Sequence, residues 1–112
     1  MEVLHQNTTK KLPIEIEKYN TFFKRFRGLM LKKSLQVEKG IAITPCNSIH
    51  MFFMRFPIDV LFLDKRGKVL KIVPHLKPWR IVPPIKNAHT AIELPQGTAE
   101  RFGVYEGNYV YY

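Results

Sequence analysis

The stretch C-N-S-I-H-M-F-F-M-R-F-P-I-D-V-L-F-L-D, residues 46–64, decides how this chain is read. It sets one thiol, one imidazole, two thioethers, one guanidinium and the Asp59 carboxylate within a largely apolar run that Asp64 closes. A polar group buried alone costs roughly 2–7 kcal/mol, so these groups must be paired or act on something. Pro57 cannot donate a ladder hydrogen bond and marks a bend between two strands, Ile49–Arg55 and Ile58–Leu63. Asp64-Lys65-Arg66-Gly67 then reads as a hairpin turn, with Asp opening it and Gly supplying positive φ. Val69–Val73 is the return strand.

Outward from this hairpin the pattern stays strand-like. Ile14-Glu15-Ile16-Glu17 alternates with period two, which places Ile14 and Ile16 inward. Asn20 and Thr21 can cap a short helix over Phe22–Met30, with Phe22, Phe26, Leu29 and Met30 on one face and Gly28 interrupting it. Ile41–Thr44 forms a strand closed by Pro45. Lys77–Lys86, with three prolines, is a stiff extended loop. Ala91–Leu94 is a strand stopped by Pro95, and Thr98–Phe102 forms one helical turn before Gly103. Val104–Tyr112 closes the chain as a strand around a turn at Glu106-Gly107-Asn108. The expected fold is mainly β: a compact antiparallel β-sandwich or small barrel with one short helix.

Residues 1–112 fit a single domain, and 46% apolar residues argue for a folded chain. The single cysteine, Cys46, excludes an intramolecular disulfide. No N-terminal apolar segment is present and no apolar run is long enough to span a bilayer, so a cytoplasmic protein without a membrane partner is the simplest expectation. Eighteen Lys and Arg against nine Asp and Glu give a formal charge of +9. Such an excess favours phosphates and nucleic acid. The cations are nevertheless spread along the chain, and the densest clusters fit solvated turns, which argues against a specific nucleic-acid partner. Nothing in the sequence fixes an oligomeric state.

Residues 49–60, I-H-M-F-F-M-R-F-P-I-D-V, resemble the bacterial and archaeal domain of unknown function 192 family. Arg27-Gly28-Leu29-Met30, Phe62-Leu63-Asp64 followed by Gly67, Pro78-Trp79-Arg80, and Glu93-Leu94-Pro95-Gln96-Gly97 agree with it in order and spacing. The resemblance implies a compact, mainly β fold and no established reaction. Two departures stand out: Met51 replaces a small residue common in the family, and Gly107-Asn108 replaces Gly-Asp.

The candidate site residues come from the same stretch. Cys46, His50 and Met54 are spaced by four and would share a face of a regular element, a soft donor set suited to Cu(I). Met and free Cys are also ordinary core residues, so no metal and no cofactor are expected. Arg55 and Asp59 flank the bend and can form a bidentate pair, leaving Asp59 structural. If Arg55 or Arg27 remains free, either could bind an anion beside His50. His50, Asp59 and Glu93 could supply acid–base chemistry, but no nucleophile motif accompanies them and Glu93 reads more simply as a helix or turn cap. Trp79 and Arg80 form either a lid over a pocket or a plug at one end of the core. The tyrosines near the C-terminus are compatible with single-stranded nucleic acid or with a plain terminal strand. The first expectation is therefore a domain that binds a small or peptide-like anionic ligand through His50, Arg55, Arg27 and Trp79. A basic nucleic-acid module and a hydrolytic or metal-dependent enzyme are the alternatives.

Overall fold

A computed structural model describes residues 1–21, 34, 35 and 38–112. The expected helix at Phe22–Met30, and Arg27 with it, lie outside the described residues. Among the described residues, ten strands and one short helix follow in order: β1 (Glu2–His5), β2 (Thr8–Lys11), β3 (Glu15–Tyr19), β4 (Lys39–Ile43), β5 (Ile49–His50), β6 (Ile58–Leu63), β7 (Val69–Leu76), β8 (Ile81–Val82), β9 (Thr90–Pro95), α1 (Thr98–Arg101) and β10 (Tyr109–Tyr111). Three sheets form, with orders β3-β4-β9-β6-β7, β10-β1-β2 and β5-β8. The fold is mainly β, and no sheet closes into a barrel. Pairing is antiparallel except between β3 and β4, which run parallel. No described helix is long and apolar enough to cross a membrane.

All six residues of β6 are buried, because both faces of the five-stranded sheet are covered. Alternation along the strands divides the core in two. Ile58, Val60 and Phe62 share one face with Ala91, Ile41 and Ile43, and this face packs on Ile49, Met51, Met54 and Val82 from the β5–β8 region. Leu61 and Leu63 share the other face with Ile92, Leu94 and Ala42; there the core continues through Val3, Val110, Ala99 and Val104. A two-sided sandwich thus holds the β5–β8 pair on one side and the three-stranded sheet with α1 on the other.

The β6–β7 turn forms as its residues require. Asp64 Oδ1 accepts the Arg66 N–H at 2.8 Å and the Lys68 N–H at 3.0 Å, and the Gly67 N–H donates to the Asp64 carbonyl at 3.1 Å. Gly67 has φ +91°, and a Cβ there would lie 2.7 Å from the Val110 carbonyl oxygen. Glycine therefore satisfies both the turn and the close passage of β10.

The polar N-terminus, for which the sequence suggested no element, forms the β1–β2 hairpin, with Val3 buried and Thr8–Lys11 exposed throughout. Two expectations need correction. The strand expected over Ile49–Arg55 stops at His50, where the chain turns through Phe53 at φ +62°. The Lys77–Lys86 loop contains a strand, β8, which pairs Ile49 with Val82 and His50 with Ile81. At the C-terminal turn, Asn108 is buried and uses both ends of its amide. Oδ1 accepts the Tyr105 N–H at 2.8 Å, and Nδ2 lies 2.7 Å from His5 Nδ1. This geometry needs one acceptor and one further hydrogen-bonding group, not an acid.

Candidate functional site

The β5–β8 pair turns Ile49 and Val82 into the core and leaves His50 and Ile81 outside, as strand alternation dictates. Beyond the pair, the Met51 peptide joins the two segments. Its N–H donates to the Arg80 carbonyl at 2.7 Å, and its carbonyl accepts the Trp79 N–H at 2.7 Å and the Met54 N–H at 3.3 Å. These bonds hold two aromatic residues in the left-handed region, Phe53 at φ +62° and Trp79 at φ +67°. Bulky residues avoid that region, and each such conformation costs of order 1–3 kcal/mol.

The outcome is a row of rings outside the core. His50 and Phe52 have centroids 5.1 Å apart, Phe52 and Trp79 5.9 Å, and Phe53 and Trp79 5.1 Å. Trp79 is 59% exposed, Phe53 55% and Ile81 61%. Trp79 therefore does not plug the core. Arg55, Lys77 and Arg80 are exposed on the same two segments. Residues 46–57 and 77–88 contain no Asp or Glu. The exposed surface of these two segments is thus apolar and cationic, with no acid in either.

Asp59 stands apart from this face. Its fully buried carboxylate accepts three backbone N–H groups: His75 (3.0 Å) and Gly97 (3.1 Å) at Oδ1, and Ala99 (3.0 Å) at Oδ2. The expected Arg55–Asp59 pair does not form. Asp59 shares its face with Leu61 and points toward α1, while Arg55 is exposed on the β5–β6 connection. Asp59 also does the capping expected of Glu93, which lies buried in the middle of β9 in register with Val60 and Ile41. Because Asp59 and Glu93 occupy opposite faces of one sheet, they do not assemble into one acid–base set with His50. Cys46, His50 and Met54 are likewise separated. Met54 is in the core and half-buried Cys46 packs against it, whereas His50 is exposed. Among the described residues no group of three or more His, Cys, Asp or Glu has metal-site geometry.

Sequence reading missed Phe52, Phe53 and Ile81 as site residues. The available signal was a Phe-Phe pair within residues 46–57, a stretch that lacks acids. What concealed it was the assumption that both rings belonged to a continuous strand.

The DUF192 family profile, described as "Uncharacterized ACR", matches residues 3–112. The chain belongs to the DUF192 family. This DUF192 chain is 35% identical over 111 residues to a UPF0127 protein of Pyrococcus furiosus, covering 95% of this chain and 93% of that one. It is 34% identical over 113 residues to a UPF0127 protein of Thermococcus kodakarensis, covering 96% and 71%. In fold it is similar to a protein of unknown function from Novosphingobium aromaticivorans, with TM-score 0.84, 21% identity, and 99% and 82% of the two chains covered. No established reaction accompanies this DUF192 chain or these relatives.

Proposed function

We propose that the β5–β8 face binds a small or peptide-like anionic ligand that also carries an apolar or aromatic group. The observation that carries this reading is the His50–Phe52–Trp79–Phe53 row held outside the core, with Arg55 and Arg80 exposed on the same two segments. The guanidinium of Arg55 has no ion pair among the described residues, so its forked donors are available for a carboxylate. His50, exposed at the end of the row, offers a further ring nitrogen. Arg27 lies outside the described residues and plays no part in the reading.

Ring geometry favours such a ligand over a run of bases. The rings are tilted 33–58° to one another and contact one another, whereas single-stranded nucleic acid stacks on open, roughly parallel platforms. Tilted rings in contact suit one apolar group of a ligand better than a run of stacked bases. Binding rather than catalysis is the proposed role, because Asp59, one of the carboxylates available for acid–base work, is spent on backbone donors.

Isothermal titration with three probes tests the reading. These are a short peptide with a C-terminal Phe carboxylate, the same peptide as its C-terminal amide, and an oligothymidylate. The acid is expected to bind more tightly than the amide, with the difference lost in Arg55→Gln. Equal binding of acid and amide, or binding of the oligonucleotide alone, would overturn it.

A further inference from the structure

A cleft lies on the other flank of the five-stranded sheet, away from the β5–β8 face. It has a volume of about 450 Å³ and runs between the end of β3, the Asp64–Gly67 turn and the end of β10. That is within the roughly 300–1,000 Å³ of small-molecule sites. Its walls bring together Lys18, Lys65 and Arg66 with Thr44, Thr90 and Tyr112. A neighbouring cleft of about 430 Å³ shares Asp64, Lys65 and Arg66 and adds His89, so the same turn projects its cations between two hollows.

Three features distinguish this cleft from a solvated turn. First, the turn is fixed: Asp64 holds Arg66 and Lys68 by their N–H groups, and the Val110 N–H donates to the Gly67 carbonyl at 2.9 Å. Second, the charges are not consumed by one another. Among the described residues, Lys18, Lys65 and Arg66 form no ion pair, although Asp64 is close in the chain. Three cationic side chains against one acidic side chain, Asp64, leave an excess of positive side-chain charge suited to an anionic group such as phosphate. Third, Lys18 Nζ lies over one face of the Tyr112 ring, 5.7 Å from its centroid, so the cation and the half-exposed ring form one unit at the edge of the cleft, with the opposite ring face left for a flat group. Cations suit the phosphate of a nucleotide and an aromatic ring suits its base.

We propose that this cleft is a nucleotide site, with the phosphate held by Lys65, Arg66 and Lys18 and the base against Tyr112. The Thr44 and Thr90 hydroxyls, 2.8 Å apart, line its floor with hydrogen-bonding capacity. The nucleotide is either free or one unit of a single strand. The proposal is independent of the β5–β8 reading, since the two sites share no residue.

Binding of AMP, inorganic phosphate and an oligouridylate is measured by titration calorimetry at two salt concentrations. AMP is expected to bind, and the double variant Lys65→Ala, Arg66→Ala to weaken it about tenfold or more, as two lost phosphate contacts require. Tyr112→Ala is expected to weaken AMP by about tenfold while leaving inorganic phosphate unchanged, which isolates the ring contribution. Oligouridylate binding tighter than AMP identifies a single strand as the source, and equal or weaker binding identifies the free nucleotide. Circular dichroism confirms that each variant is folded, and Lys18→Ala provides a substitution outside the turn. No AMP or oligouridylate binding, or binding unchanged in all three variants, would overturn the proposal.

Discussion

Asp59 Oδ2 accepts the N–H of Ala99 at 3.0 Å, a bond between residues forty positions apart that ties the central strand β6 to the start of α1. Its other oxygen reaches His75 in β7 and Gly97 at the α1 N-cap. One carboxylate therefore replaces the missing intrahelical partners at a helix start and a missing ladder partner beside the β6–β7 bulge. His75 and Gly97 both have positive φ, at +51° and +86°, which turns their N–H groups toward Asp59.

Asp59→Ala is accordingly expected to destabilise the protein by about 3 kcal/mol or more. Each N–H left buried without a partner costs about 1–3 kcal/mol, and three are affected. Urea unfolding followed by circular dichroism measures this. A loss under about 0.5 kcal/mol, typical of surface substitutions, would contradict the arrangement.

Phe53 gives a test with an inverted sign. In most elements Gly is less stable than Ala because it loses more backbone freedom on folding. At φ +62° the Cβ is the liability. Phe53→Gly is expected to be about 1 kcal/mol more stable than Phe53→Ala, since both lack the ring and only Ala retains the strain. If Ala is the more stable of the two, the left-handed turn at Phe53 is wrong.

The acid limb of stability reports on Asp64. Burial raises its pKa, but the Lys68 and Arg66 N–H groups and the positive charges of those residues outweigh burial and hold the carboxyl below its ordinary 3.8. A folded pKa below the unfolded value means that the unfolded chain binds more protons in that window. Asp64 therefore stabilises the fold above pH 3.8 and loses that contribution as pH falls through its folded pKa. Asp64→Asn is expected to flatten the dependence of unfolding free energy on pH in this range. An unchanged slope would show that the turn does not perturb the carboxyl.

How much was legible in the sequence depended on whether the controlling interaction was local. The Asp64–Gly67 turn was readable because its donors, acceptor and positive φ all lie within five residues. The buried run of β6 was readable from its composition. The division of Asp59 from Arg55 was not: their spacing invited a pair across the Pro57 bend, and only the long-range register of β6 against β9 shows that Asp59 faces α1. The aromatic row was hidden for the same reason, because β5 meets β8 across some thirty residues and the turn between the Phe residues uses a conformation that Phe rarely adopts. The β1–β2 hairpin escaped notice because exposed polar strands carry almost no periodic signal.

The most direct test of the binding face uses Trp79, the single tryptophan of the chain and a member of the row. Its emission is followed while a peptide with a C-terminal Phe carboxylate is added to the wild-type protein, to Arg55→Gln and to Phe52→Ala. The account predicts a saturable blue shift in the wild type, because the ligand's apolar group displaces water from the exposed indole. It predicts a shift requiring about tenfold more peptide in Arg55→Gln, and little shift in Phe52→Ala. An emission maximum that stays unchanged at saturating peptide, or the same response in all three proteins, would contradict it.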